Sequence, residues 1–429
     1  MGTQHDSTER AMPEGLTVTT VSVSDPGDLL SRLPGLAPSA WIRHGDGIVG
    51  WGEAARHTLP AGDDRFAAGE KWLAELFHSA RVRDEVGVPG SGPVAFGSFT
   101  FDPASDGSVL IVPEVIVGRR SGISWQTTIS MDGNEPASPP ATRTSAAGPA
   151  GIRWSDGSLT PMQWQQAVAA AVGRIKAGEL RKVVLARDVR AQAAADIDLR
   201  VLLARLAARS PGCYTFACAG LVGATPELLI RREGRDVSSL VLAGTMARGG
   251  SEADDAALSA ALLHSAKNAE EHGYSVDSVR DLLGPLCADL RVDPAPFLLQ
   301  MADYQHLATS VTGVLSRDAS ALALAARLHP TAAICGTPAE TALELIRELE
   351  GMDRGRYSGP VGWVDARGNG EWGIALRCGE IDGASARLFA GNGIVAGSQP
   401  TEELAETETK FRPMRRALEG SGRWQQDCG

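Results

Sequence analysis

The sequence lacks long apolar runs. None approaches the roughly 18 residues that a membrane-crossing helix requires, and the best candidate, Val109 to Val117, is broken by Pro113 and Glu114. The first ten residues are polar and form no secretory leader, so a cytoplasmic setting is expected. Cysteine is sparse: Cys213, Cys218, Cys287, Cys335, Cys378 and Cys428 stand far apart without a CxxC pair. Most lie in apolar, strand-like context, which points to reduced, structural thiols and to no dithiol chemistry. Positive charge is short as well: 41 Lys and Arg against 52 Asp and Glu leave a net charge of −11 at pH 7. Neither nucleic acid nor an anionic membrane finds a matching basic surface. There is no Walker loop and no HExxH, and Gly391-Asn392-Gly393-Ile394-Val395-Ala396-Gly397 has the wrong spacing for a dinucleotide loop. What remains is a small-molecule partner.

What is present suits a large core. The chain has 429 residues, 43% of them hydrophobic, with 49 glycines, and length alone allows two or three domains or one large one. Residues 1–14 read as a mobile tail. Ser39 to Glu53 reads as a hairpin turning at Asp46-Gly47, and Phe66, Leu73, Leu76, Phe77 and Ala80 recur at helical spacing. Pro93 to Phe101 alternates like a strand, and Val109 to Val117 continues in that style. Residues 132–151, rich in Pro, Ser, Ala and Gly, read as a surface connection.

A clear helix start follows, with Thr160 as N-cap, Pro161 in the first turn, and Trp164, Val168, Val172 and Ile175 on one face until Gly178. Lys182 to Val189 reads as a strand, Leu199 to Ala208 as a helix, and Cys213 to Ala219 as a strand. Glu227 to Arg232 and Val237 to Ala243 form a pair around Glu233-Gly234. Ala269 to Leu283, Leu322 to Leu328 and Glu340 to Leu349 read as helices. Val361 to Val364 and Trp372 to Cys378 flank the turn Arg367-Gly368-Asn369-Gly370, and Arg387 to Ala390 precedes a last, acidic helix. Strands and helices mix without a βαβ rhythm, which favours α+β with large, mainly antiparallel sheets over a doubly wound sheet.

Three acids and a lysine carry the chemical interest. Glu403 and Glu406, three apart on the last helix, share a face on which like charges repel unless a cation, a proton or water intervenes. With Glu271 they make an all-carboxylate set, and hard oxygen ligands favour Mg²⁺ over zinc. The competing reading is a solvated helix face with a plain Glu406–Lys410 ion pair. Lys182 shares its strand face with Val184 and Ala186, and an amine held there loses hydration, which lowers its pKa towards that of a base. A lysine that merely snorkels or pairs with an acid fits the local sequence too. Glu227 opens an apolar strand, where burial raises a carboxyl pKa towards that of a proton donor.

These motifs together resemble the chorismate-utilising enzymes: isochorismate synthases, salicylate synthases, anthranilate synthase component I and aminodeoxychorismate synthase. The resemblance spans about residues 157–418. It runs through Lys182-Val183-Val184-Leu185-Ala186-Arg187, Ala224 to Leu229, Leu242-Ala243-Gly244-Thr245, Glu271-His272, His306-Leu307-Ala308-Thr309, His329-Pro330-Thr331, Gly359-Pro360-Val361-Gly362-Trp363, Arg377-Cys378 and Glu403 to Lys410. The first third matches more weakly, through Trp41, Gly50 to Ala54 and Phe96 to Asp102.

The resemblance implies one α+β domain over 15–429, with its sheets packed face to face and helices outside. Residues 15–131 would form an N-terminal sheet portion, 132–156 a surface connection and 157–420 a catalytic portion. It further implies that Glu271 and Glu406 bind Mg²⁺ with Glu403 in support, and that the metal holds the ring carboxylate of chorismate. Tyr357 and Arg377 would hold the enolpyruvyl carboxylate, with Gly393, Lys410, Ala333 and Thr245 completing the substrate site. Relatives that add ammonia typically carry Gln in place of Lys182 and Thr in place of Ala333; both residues here fit water as nucleophile. The implied activity is isochorismate synthase, Lys182 acting as base and Glu227 as acid, in a protein expected to be a monomer. A salicylate synthase or a non-catalytic chorismate-binding relative is the alternative. His306 and His329 are as consistent with core packing as with a part in the chemistry. Asn268 departs from the acid common at its position, and Leu404 from a common Trp.

Overall fold

The computed structural model describes residues 15–34, 37–131, 148–301 and 304–420. The tail 1–14 and most of the connection 132–151 therefore lie outside the described residues. Among the described residues, two sheets of thirteen and ten strands carry the fold. Their pairings are antiparallel except that of Thr17–Ser22 with Arg81–Asp84. The N-terminal third is no separate unit. Its strand Ser39–Arg43 pairs with Tyr214–Cys218 in the larger sheet, and Val94–Ser98 pairs with Pro360–Asp365 in the smaller one.

Strand alternation divides the apolar residues between two cores. Trp41 joins Phe96, Phe216, Trp363 and Trp372 in one cluster built from both sheets. Its neighbours Ala40 and Ile42 point the other way, towards Leu202, Leu203 and Leu206 of helix Leu199–Arg209 and Phe411 and Met414 of helix Pro400–Glu419. Truncating a residue such as Trp372, which is fully buried, costs on the order of 3–5 kcal/mol.

The helix begun by Thr160 runs over Pro161–Lys176, closed by a reciprocal capping box with Gln163 and burying Trp164, Val168 and Ile175. Other expectations are corrected. The first hairpin turns at His44-Gly45, one step before Asp46-Gly47, because Arg43 pairs with Asp46 and both turn residues adopt positive φ. Val109 to Val117 is two strands, Ser108–Val112 in the smaller sheet and Val115–Arg120 in the larger, separated where Pro113 cannot donate to a ladder. Trp372 to Cys378 also divides, into Gly370–Ile374 and Cys378–Asp382 in different sheets. The helix Glu252–His264 and the strand Leu221–Thr225 have no counterpart in the sequence reading.

Candidate active site

The site forms where the chain passes from one sheet to the other. Strand Leu221–Thr225 belongs to the larger sheet and Leu228–Glu233 to the smaller, with Pro226 and Glu227 in the crossing. A second crossing runs from Gly370–Ile374 to Cys378–Asp382 and carries Arg377 at φ 50°. The crossings are tied together: Ile374 N–H donates to the Glu227 carbonyl at 3.2 Å, and Ala224 N–H to the Arg377 carbonyl at 3.3 Å. Outside a continuous ladder, both side chains enter the seam between the sheets instead of alternating across one.

Strand Lys182–Gln192 pairs with Ser385–Ile394 so that Val184 faces Gly393 and Ala186 faces Gly391. Lys182, Val184 and Gly393 thus share a face. Glycine at 393 leaves room for both side chains, since a Cβ there would stand 2.0 Å from Glu271 Oε1 and 3.0 Å from Lys182 Cε and would displace the carboxylate. Helix Ala266–Leu283, lying on strand Asp236–Ala247, brings Glu271 to this point. The resulting cleft is narrow and is lined by Glu227, Thr245, Glu271, Ala333, Tyr357, Arg377, Gly393 and Lys410 among others.

Lys182 lies just behind that lining, wholly buried. Its Nζ donates to Ser275 Oγ at 3.2 Å and stands 3.5 Å from Glu271 Oε1. Burial holds its ammonium below the ordinary lysine range, and the attraction of Glu271 opposes without cancelling this. Burial also pushes the Glu227 carboxyl up to about 8, against the pull of Lys182, Arg377 and Lys410. Each group is driven towards its neutral form by the same lack of water. The two shifts have opposite signs, as a base and an acid would need, in one seam.

Arg377 is buried and makes no ion pair among the described residues. It packs over the Tyr304 ring at 4.6 Å and donates to His306 Nε2 at 3.4 Å, while its Nε has no partner. A lining guanidinium with a spare donor suits an incoming carboxylate. Tyr357 is held by parallel stacking on Phe389, with ring centres 5.0 Å apart, and burial raises the pKa of its hydroxyl. Thr245 Oγ1 meets His306 Nδ1 at 3.1 Å.

Of the three acids only Glu271 lines the cleft; Glu403 and Glu406 lie beyond its lining, and each of the three has a cation of its own. Glu403 Oε1 takes Lys267 Nζ at 2.6 Å, Glu406 Oε1 takes Lys410 Nζ at 2.7 Å, and Glu271 has Lys182. Among the described residues no three His, Cys, Asp or Glu side chains converge as a ready-made ligand cage. The acids nonetheless feel one another: burial first, then Glu403 and Glu271, raise the pKa of Glu406 against the pull of Lys410. Such a set of repelling oxygen donors suits a hard divalent cation. Lys410 donates also to the Gly391 carbonyl and to Asn392 Oδ1, so its three N–H groups are all engaged.

Sequence reasoning left His306 undecided, and the structure places it in the cleft wall, neutral because burial first and then Arg377 and Lys410 disfavour its charged form. His329 is instead partly buried outside the cleft lining, hydrogen-bonded to the Phe101 carbonyl at 2.9 Å. The Glu350–Arg354 pair was missed. Arg354 donates to Glu350 Oε2 at 2.9 Å and to the carbonyls of Val184 and Ile334, and Ala186 N–H donates to Glu350. The pair anchors the floor of the cleft; spacing of four on and beyond a helix end was its only sequence signal.

Known proteins resemble the chain over most of its length. Residues 41–419 match the family described as chorismate binding enzyme. The chain belongs to the chorismate-binding enzyme family. It is 37% identical over 358 residues to isochorismate synthase DhbC of Bacillus subtilis, covering 81% of this chain and 84% of that one. It is 36% identical over 369 residues to isochorismate synthase EntC of Escherichia coli, covering 84% and 89%. The fold of this family member matches that of MenF, the menaquinone-specific isochorismate synthase from Escherichia coli, with a TM-score of 0.78 at 24% identity over 95% of each chain. Anthranilate synthase component I from Streptococcus pneumoniae shares the fold as well, with a TM-score of 0.69 at 20% identity, covering 86% of this chain and 92% of that one.

Proposed function

We propose that this family member is an isochorismate synthase, which converts chorismate to isochorismate. The observation that carries the reading is the opposed pair in the seam, a desolvated Lys182 and a Glu227 carboxyl with its pKa raised to about 8. Lys182 takes a proton from water as the oxygen bonds to ring carbon 2. The 4-hydroxyl leaves with a proton from Glu227, so one water enters, one departs and the composition is unchanged. Arg377 and Tyr357 receive the enolpyruvyl carboxylate, and Thr245, Ala333 and Gly393 shape the wall.

Glu271 and Glu406, supported by Glu403, would hold Mg²⁺. The ion would supply positive charge to the ring carboxylate and relieve the repulsion among the three acids. A cytoplasmic, monomeric enzyme without nucleic-acid or membrane partners goes with this reading. The five described cysteines are free, and no described helix is long and apolar enough to cross a membrane.

The test is product identity. Purified protein with chorismate and MgCl₂ should yield isochorismate, lose that activity in excess chelator and regain it with Mg²⁺. Salicylate with free pyruvate would replace the reading by a salicylate synthase, and binding without turnover would leave only a binding protein.

A further inference from the structure

We propose that Ser275 is the positioning residue for Lys182, aiming the amine nitrogen at the cleft. The inference rests on the reading of Lys182 as the base. Ser275 lies on the helix Ala266–Leu283 and is completely buried. Its hydroxyl has a single proton, which it gives to the Glu271 carbonyl one turn back, at 3.2 Å. With that proton committed, the oxygen can only accept from Lys182 Nζ, also at 3.2 Å.

The consequence for the amine is directional. Lys182 Nζ donates to Ser275 and stands 3.5 Å from Glu271 Oε1. Two fixed contacts set the rotation of the nitrogen about its last bond, so its remaining position is held in one direction, towards the water it acts on. Glu271 is the less constant of the two, because the same carboxylate is proposed for the cation. Ser275 then remains as the contact that keeps the amine from turning about its last bond. An alanine in its place would leave the amine buried, present and unaimed.

Three variants separate the outcomes, assayed as isochorismate formed from chorismate in saturating MgCl₂ and by thermal denaturation. Ser275→Ala should lower kcat about tenfold or more with KM for chorismate within about twofold, since only orientation in the reacting complex is lost. Its melting temperature should stay within a few degrees of the wild type, and Ser275→Thr, which restores a hydroxyl, should recover most of the rate. A wild-type kcat in Ser275→Ala overturns the inference, as does a variant whose kcat, KM and melting temperature all worsen together without rescue by Thr. Lys182→Ala is the control: if it keeps the wild-type rate, the base assignment itself fails. If it is inactive while Ser275→Ala is fully active, only the positioning role fails.

Discussion

Glu227→Gln separates the proton held by this carboxyl from its shape. Burial raises its pKa from an ordinary 4.5 to about 8, so the folded protein keeps a proton that the unfolded chain gives up across that window. The sign follows: the folded state binds more protons, so this contribution is intact below pH 4.5 and is lost as pH rises towards 8. At about 1.4 kcal/mol per pH unit, the window is worth on the order of 5 kcal/mol at most, and roughly 2–3 kcal/mol between pH 6 and 8. Unfolding entropy near 2.1 cal/mol/K per residue makes the latter about 3 °C for a chain of this length. The glutamine carries no charge at any of these values. Wild type should therefore lose about 3 °C relative to Glu227→Gln between pH 6 and 8 in thermal denaturation.

Activity should move oppositely. Losing the general acid lowers kcat by about 10²–10⁴ and abolishes the fall in wild-type rate above pH 8. Parallel melting curves for the two proteins over pH 6 to 8, or a variant kcat within tenfold of wild type, would refute the assignment.

Arg377→Lys keeps the charge but loses the planar fork and the donor left spare in the cleft; chorismate KM should rise about 10–100-fold, from roughly 1.5–3 kcal/mol per charge-assisted bond, and an unchanged KM would count against the carboxylate site. Gly393→Ala puts a methyl 2.0 Å from the present position of Glu271 Oε1, so Mg²⁺ affinity by calorimetry should fall along with turnover while the melting temperature changes little. Lys182→Ala should abolish isochorismate formation and leave chorismate binding measurable by calorimetry.

Legibility followed the range of the physics involved. The helix Pro161–Lys176 was readable because its capping box, first-turn proline and apolar spacing all act within four residues. Lys182 was readable as a buried amine because the period of two places it with Val184 and Ala186. The first hairpin slipped by a turn because Asp46-Gly47 is as good a turn signal as His44-Gly45, and only pairing with the neighbouring strands decides between them. Val109 to Val117 and Trp372 to Cys378 looked continuous because an apolar strand leaving one sheet and another entering the next have the same composition.

Along the chain itself, local periodicity determined an α+β protein with large, mainly antiparallel sheets, and the order of its motifs pointed to the chorismate-utilising family. Which acid meets which base was decided by tertiary structure alone. Glu227 and Arg377 lie 150 residues apart at two sheet-to-sheet crossings, and Lys182, Ser275 and Glu271 are joined only because a helix lies across a strand. The opposite shifts of Lys182 and Glu227 come from water excluded by both sheets at once, a property that no single segment of the sequence possesses.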